Sequence, residues 1–186
     1  EIYYFGGYGL FTFKNVITKY IFKSKEWMAV QTFGNEFPSL RRDANRILIG
    51  DDLYIFSGLC ENPADFYYGQ IPTDNIVWKL DLKTMQWSKE GIYDPKYNSI
   101  ENYFNFQNGS KMYMIGRGAN NKLIEIDILN NTIKKYQLPS LILPKFFYFD
   151  EKANELVLLH FLSTKGTSKI IRLKLNSLLT NPIQTE

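Results

Sequence analysis

The chain has 186 residues, of which 45% are hydrophobic and 16% aromatic, and its formal net charge is +3 at pH 7. This length suits one domain with a sizeable core. The longest basic runs are the pairs Arg41–Arg42 and Lys134–Lys135, so the charge pattern predicts no nucleic-acid partner. No apolar run reaches the length of a membrane span, which predicts no membrane insertion by these residues. The one cysteine, Cys60, fits either a reducing compartment or an exported protein, so localisation stays undecided.

Three segments along the chain repeat one hairpin pattern, in which two β-rich runs flank a short polar turn. They read VITKYIFKSKEW (16–27), IVWKLDLKTMQW (76–87) and LIEIDILNNTIKK (123–135). Large apolar residues align across them, and the aligned pairs are Tyr20–Trp27, Leu80–Trp87 and Ile126–Ile133. The second member of each pair is expected to pack on a sheet face. A fourth copy begins at KIIRLKL (169–175), but no comparable partner strand follows, and the tail NSLLTNPIQTE is only weakly strand-like.

A second kind of hairpin precedes each of the later copies. These hairpins read DANRILIGDDLYIFSG (43–58), YFNFQNGSKMYMIG (103–116) and FFYFDEKANELVLLHF (146–161). The first turns around Gly50-Asp51-Asp52, the second carries Asn108-Gly109, which predicts a type I′ turn, and the third has a longer turn. The ends of their second strands align with a dipeptide near the start of the chain, in the order Gly6-Gly7, Ser57-Gly58, Gly116-Arg117 and His160-Phe161.

These hairpins combine into repeats of four antiparallel strands in up-and-down order. The repeats cover approximately 1–33 (partial), 43–91, 101–137 and 145–175 (partial). A single sheet of this kind has two apolar faces, and radial stacking of such sheets buries both. The sequence therefore predicts an all-β fold, with residues 1–186 forming one segment of a β-propeller.

The residues resemble the kelch repeat family of β-propellers. YYFGG followed by Tyr20 and Trp27 looks like the double-glycine strand of that family with its downstream Tyr and Trp, and Pro38 and Arg41 look like the Pro-x-x-Arg that often precedes the next blade. The aligned dipeptides lie about 50 residues apart, as in kelch repeats. The resemblance implies structural roles: glycines permit close approach and unusual backbone angles, and the tryptophan fills the gap between blades. It is stronger in the first two repeats than in the last two.

The first repeat lacks its first strand, and the fourth lacks its last. Propellers close with four to eight blades, so two full and two partial blades would leave exposed pairing edges. Either a longer polypeptide supplies further blades, or another copy or another chain covers the edges. The sequence favours further blades in the same polypeptide, because the break falls inside a blade.

Residues that could carry catalysis are scarce, so we expect a protein that is not an enzyme and needs no cofactor or metal. His160 is the only histidine, and with Cys60 it cannot supply the ligand set of a zinc site. There is no G-x-S-x-G nucleophile elbow, and GGYG does not open a helix as a dinucleotide-binding loop does. Asp51-Asp52 and Asp127 are interpreted as turn and strand-end residues rather than as paired carboxylates. Some kelch-like propellers are copper oxidases, but their copper requires two histidines, so the resemblance does not extend to that activity.

Binding is expected on the face that carries the longest loops, since long loops on a rigid scaffold concentrate function. The loop at 59–75 is rich in aromatic and acidic residues, and the start of the chain and the connection at 34–42 add further candidates. The candidate binding residues are Tyr8, Phe11, Arg41, Arg42, Glu61, Asp65, Tyr67 and Tyr68. Aromatic and charged side chains together are typical of protein hot spots, so the expected function is an interaction or sensor module for a protein or peptide. The alternative is a carbohydrate-binding or carbohydrate-active propeller, in which the same aromatics stack on a glycan.

Overall fold

The computed structural model describes residues 1–9, 12–64, 69–92, 104–115, 122–139, 146–162, 167–180 and 182–185. These residues form antiparallel β-sheets with a single short helix among them, so the all-β class is confirmed. The chain divides into an N-terminal unit, Glu1–Ile100, and a C-terminal unit, Glu101–Glu186.

The N-terminal unit is built from short strands. They are β1 (Ile2–Phe5), β2 (Tyr8–Gly9), β3 (Thr12–Phe13), β4 (Ile17–Ile21), β5 (Glu26–Val30), β6 (Asn45–Ile49), β7 (Asp52–Phe56), β8 (Leu59–Glu61), β9 (Gln70–Pro72), β10 (Ile76–Asp81) and β11 (Gln86–Ile92). The first sheet has the order β1-β4-β5 and the second β6-β7-β10-β11, while β2-β3 and β8-β9 are separate hairpins. Each separate hairpin lies between the second and third strands of its repeat. The segment at 59–75, expected as a loop, is therefore partly a hairpin.

The C-terminal unit contains two larger sheets. Its elements are β12 (Phe104–Asn108), β13 (Lys111–Ile115), β14 (Lys122–Asp127), β15 (Thr132–Gln137), β16 (Phe146–Asp150), β17 (Glu155–Leu162), β18 (Thr167–Lys174), α1 (Leu175–Leu178) and β19 (Pro182–Thr185). The third sheet has the order β12-β13-β14-β15-β19 and the fourth β16-β17-β18. The tail therefore does not extend the fourth sheet. It forms a helical turn and then pairs with β15 of the third sheet, an arrangement that its weak strand character did not predict.

In each of the three hairpins, the two residues aligned in the sequence lie opposite one another in the strand register. Across each sheet, the aligned residue of the third strand pairs with one residue on the second strand and one on the fourth. The equivalent triplets are Ile2–Tyr20–Trp27, Leu53–Leu80–Trp87 and Met112–Ile126–Ile133. The fourth sheet continues the series with Leu156 opposite Leu173. Sheets of different sequence therefore place their side chains at equivalent positions in the strand register.

The tight turn at Asn108-Gly109 differs from the expected type I′ turn. Asn108 pairs with Lys111, so the two loop residues are Gly109 and Ser110. Of these two, only Gly109 has a positive φ, +59°, whereas a type I′ turn needs positive φ at both loop positions and a type II′ turn only at the first. The pairing places the glycine one position earlier in the turn than the dipeptide suggested.

Neighbouring sheets within each unit pack through two kinds of face. In the N-terminal unit, Phe5 and Ile17 of the first sheet lie in one buried cluster with Ile55, Leu80 and Trp87 of the second. The rings of Phe5 and Trp87 meet edge to face, with their centroids 5.7 Å apart. We call the side of a sheet equivalent to Phe5 and Ile17 its Phe5-type face, and the side equivalent to Ile55 and Trp87 its Trp87-type face.

The two aligned tryptophans have different environments. Trp87 is 6% exposed and fills the space between the first and second sheets, as expected. Trp27 is 52% exposed, and its ring lies 5.3 Å from that of Tyr20 in its own sheet. Among the described residues, only Trp87 fills a gap between two sheets.

Candidate functional site

The double-glycine bend positions the first hairpin of the site. Gly6 and Gly7 have φ values of +71° and +98°, which favour glycine because they lie in the left-handed region. A Cβ on Gly6 would lie 2.6 Å from the carbonyl oxygen of Arg41. The chain then turns into β2-β3, where the ring of Tyr8 meets that of Phe13 edge to face at 5.2 Å. Phe13 is buried, whereas Tyr8 is 60% exposed.

The equivalent bend in the second repeat positions the second hairpin. Ser57 and Gly58 have φ values of +54° and +104°, and a Cβ on Gly58 would lie 2.7 Å from the carbonyl oxygen of Arg42. The chain then enters β8-β9, where Glu61 pairs with Gln70. The glycines thus permit close approach, as the kelch resemblance implied, but in both repeats the approaching backbone belongs to the connection at 34–42.

That connection is hydrogen-bonded to both hairpin bases. The Gly7 N–H donates to the Arg41 carbonyl at 2.9 Å, and the Arg41 N–H donates to the Lys14 carbonyl at 2.9 Å. One residue later, Arg42 and Leu59 exchange two backbone hydrogen bonds of 3.0 and 2.9 Å. The backbone of the adjacent arginines therefore connects the first hairpin to the second.

The Arg41 side chain is fully buried, at 0% exposure, and its guanidinium is hydrogen-bonded to other groups of the protein. Nε donates to the Ser39 carbonyl at 3.0 Å and Nη1 to the Ser57 carbonyl at 3.1 Å. Nη2 bonds Asp74 Oδ2 at 2.8 Å. Burial lowers the pKa of the Arg41 guanidinium, and the Asp74 carboxylate opposes that effect. Our expectation that Arg41 faces a partner is therefore wrong, because the protein interior encloses its charge.

Asp74 is the residue that sequence reasoning missed here. Its Oδ2 accepts the Arg41 hydrogen bond, and its Oδ1 accepts hydrogen bonds from the Ile76 N–H at 3.2 Å and from Trp78 Nε1 at 3.4 Å. It thereby connects the buried guanidinium to the start of β10. A buried arginine requires a carboxylate partner, but the 33 positions that separate Arg41 from Asp74 give no sequence pattern to identify it.

Arg42 differs, because its side chain is 39% exposed, although its Nε is buried and has no hydrogen-bond partner among the described residues. Its guanidinium carbon lies 5.9 Å from the centroid of the Phe13 ring, a cation–π distance. Nη2 donates to Gln70 Oε1 at 2.6 Å, and Nε lies 3.5 Å from the Asp43 carboxylate. One side chain therefore contacts β3 of the first hairpin and β9 of the second.

Glu61 adds a direct link between the hairpins, since its Oε1 accepts a hydrogen bond of 3.4 Å from the Phe13 N–H. We call Tyr8, Phe13, Arg42, Glu61 and Gln70 the hairpin surface. It brings together three of the predicted binding residues, Tyr8, Arg42 and Glu61. Gln70 was not predicted, and β8-β9 pairing is what places it beside Arg42.

Four other predicted binding residues, Phe11, Asp65, Tyr67 and Tyr68, lie outside the described residues. In the sequence, Phe11 falls between β2 and β3, and the other three fall between β8 and β9.

The cysteine and the acidic residues of the described region show no arrangement that suggests catalysis. Burial raises the pKa of the Cys60 thiol, so it is protonated at neutral pH. Asp127 accepts hydrogen bonds from the backbone and side chain of Asn130 within its turn, at 3.1 and 2.9 Å, as expected.

Within the described ranges, no three His, Cys, Asp or Glu side chains come together as metal ligands. No helix in the same ranges is long and apolar enough to cross a membrane.

A buried polar cluster occupies the third sheet. Glu125, 3% exposed, accepts hydrogen bonds from Lys111 Nζ at 2.9 Å and from the Tyr113 hydroxyl at 3.0 Å. Burial and the Glu125 charge raise the pKa of Tyr113. These three residues are adjacent across β13 and β14, and their contacts with one another satisfy the carboxylate, so we assign the cluster to stability.

The chain matches no protein-family model, and no curated protein matches it. The kelch resemblance therefore rests on the residues themselves.

Proposed function

We propose that this protein is a non-enzymatic interaction module of kelch-propeller type, which binds a protein or peptide through the hairpin surface. The observation that carries the proposal is the position of Arg42, whose guanidinium lies over Phe13 of one hairpin and is hydrogen-bonded to Gln70 of the other. A partner that contacts Arg42 would therefore engage both hairpins at once.

The composition and rigidity of the surface support a polypeptide partner. Arginine and tyrosine are enriched among residues that dominate protein interfaces. The exposed ring of Tyr8 rests on buried Phe13, and Arg42 is held by Phe13 and Gln70, so ordering these side chains on binding costs little entropy. Backbone hydrogen bonds from the connection hold both hairpin bases in place, which preorganises the surface further.

A random peptide library displayed on phage and selected against the immobilised chain tests this function. We expect enriched peptides whose affinity, measured by fluorescence anisotropy, falls roughly tenfold or more in Arg42→Ala and in Tyr8→Ala. Ile92→Ala is the matched control, because Ile92 is 81% exposed and lies outside the hairpin surface. Peptides that bind all three variants as tightly as the wild type would contradict the proposal.

A carbohydrate partner is the second candidate, and the exposed aromatic ring of Tyr8 favours it, since sugar rings stack on such faces. A glycan array probed with the same protein tests it, together with the variants Tyr67→Ala and Tyr68→Ala. If glycan binding is lost in Tyr8→Ala and the selection enriches no peptide, the partner is a glycan and not a polypeptide. An oxidase activity dependent on added copper would contradict the non-enzymatic assignment itself.

A further inference from the structure

The packing of one sheet on the next follows the same rule in both units. In the N-terminal unit, the Phe5-type face of the first sheet packs on the Trp87-type face of the second. In the C-terminal unit, Ile115 and Leu123 of the third sheet are equivalent to Phe5 and Ile17, because each pair lies opposite across its sheet. They share a buried cluster with Leu156 and Leu158 of the fourth sheet, which align with Leu53 and Ile55. A Phe5-type face thus covers a Trp87-type face twice within the chain.

No sheet of the described residues packs on the Trp87-type face of the first sheet, although the Arg46 guanidinium carbon lies 6.0 Å from the centroid of the Tyr4 ring. Tyr4 is 48% exposed, although its equivalents Ile55 and Leu158 are 0% and 1% exposed. Trp27 is 52% exposed, compared with 6% for Trp87. Phe22 extends the same aromatic surface, with its ring 5.1 Å from that of Tyr20. Contiguous exposed apolar surface of this kind marks an interaction site.

The complementary Phe5-type face of the fourth sheet is likewise exposed among the described residues. Ile170 lies opposite Leu159 as Ile17 lies opposite Phe5, so it occupies the Phe5-type face. It is 65% exposed, whereas Ile17 is 1% exposed. Tyr148 pairs with Val157 on the same side of the sheet and is also 65% exposed.

We propose that a second copy of this chain covers these faces, with the fourth sheet of one copy packed on the first sheet of the next. The contact would repeat the packing that each unit already uses internally, so the chain carries both halves of the interface. Because the two halves are different surfaces, the association is head-to-tail, and repeated contacts produce a ring or an open chain of copies. The sequence left two possibilities for the partial repeats: further blades in the same polypeptide, or association with another copy or chain. The proposal selects association with another copy. The hairpin surface contributes no residue, so the proposal is independent of the proposed function.

Sedimentation velocity of the 186-residue chain over a concentration series, up to about 0.5 mM to include weak association, tests the proposal. We expect the wild type to self-associate. Trp27→Glu and Ile170→Glu should each weaken self-association roughly tenfold or more, because each places a carboxylate in an apolar interface. Both side chains are at least half exposed in the single copy, so neither change should prevent folding, which circular dichroism checks. Ile92→Glu is the control and should associate as the wild type does.

Mixing the two impaired variants provides the decisive measurement. Each is expected to be monomeric alone, but Ile170→Glu retains an intact first sheet and Trp27→Glu an intact fourth sheet. An equimolar mixture should therefore form a heterodimer that grows no further. A wild type that is monomeric throughout the series would overturn the proposal. So would an Ile170→Glu variant that still dimerises, since that result indicates a symmetric contact between first sheets, and so would a mixture that shows no heterodimer.

Discussion

Replacing Arg41 with methionine tests whether the buried guanidinium holds the N-terminal unit together. Methionine keeps an unbranched apolar stem in place of the arginine's methylene groups but removes the hydrogen bonds to Ser39 and Ser57 and the ion pair with Asp74. Breaking a buried ion pair costs about 3–5 kcal/mol. The Asp74 side chain is 29% exposed, so water partly solvates the carboxylate that remains, and we reduce the expected loss of unfolding free energy to about 3 kcal/mol.

Urea denaturation and thermal melting measure this loss. For a chain of this length, about 3 kcal/mol corresponds to a fall in Tm of roughly 6–12 °C. Hydrogen exchange in the peptides that cover 39–42 and 57–59 reports whether the loss is local to the connection. Arg42→Met is the matched control, because that neighbouring side chain is 39% exposed and its substitution is expected to cost less than about 1 kcal/mol.

A double-mutant cycle separates the ion pair from the packing of the side chain. Asp74→Ala leaves a buried, charged guanidinium, so it should destabilise at least as much as Arg41→Met. The double variant should lose less than the sum of the two single losses, because the groups interact directly. An Arg41→Met variant that loses less than about 1 kcal/mol, or additive single losses, would refute the account of Arg41 as a buried structural residue.

Three further predictions concern other parts of the chain. Gly58→Ala should destabilise by roughly 1–3 kcal/mol in urea denaturation, because its positive φ and its contact with the Arg42 carbonyl both oppose a Cβ; unchanged stability would contradict this. Lys111→Met should cost about 3 kcal/mol by leaving the Glu125 carboxylate buried without its cation, and adding Glu125→Gln should restore part of that loss. Two backbone N–H groups of its own turn hold the pKa of Asp81 below its usual value, so its stabilising effect is complete above the unfolded-state pKa and disappears as pH falls through the folded-state pKa. The stability difference between wild type and Asp81→Asn should therefore shrink below about pH 4, and a difference that grows on acidification would contradict it.

Local pattern predicted the strands and their alignment because both depend on neighbouring residues. The alternation of apolar and polar residues identified the hairpins at 16–27, 76–87 and 123–135, and the register confirms their alignment. The positive φ values at Gly6, Gly7 and Gly58 agree with the glycine pattern. Turn geometry was less accessible: at Asn108-Gly109 the dipeptide pointed to one turn type and the strand pairing produced another.

Among the candidate binding residues, the sequence could not separate the adjacent arginines. Arg41 and Arg42 follow one another in the chain, yet one is fully buried and the other lies at the surface. The difference arises because Asp74, far along the chain, meets only one of them. Gln70 also contacts Arg42 only because of the tertiary structure, since the pairing of β8 with β9 places it there.

The sequence alone determined the all-β class, the repeating strand order and the alignment of side chains across the sheets, because strand propensity and hairpin formation are local properties of the chain. The tertiary structure decided which apolar faces are covered, which arginine is buried and where the tail pairs. Trp27 and Trp87 occupy the same position in their repeats, but only Trp87 has a neighbouring sheet packed against it among the described residues. Burial depends on what lies across the interface, and that partner is supplied by residues distant in the sequence.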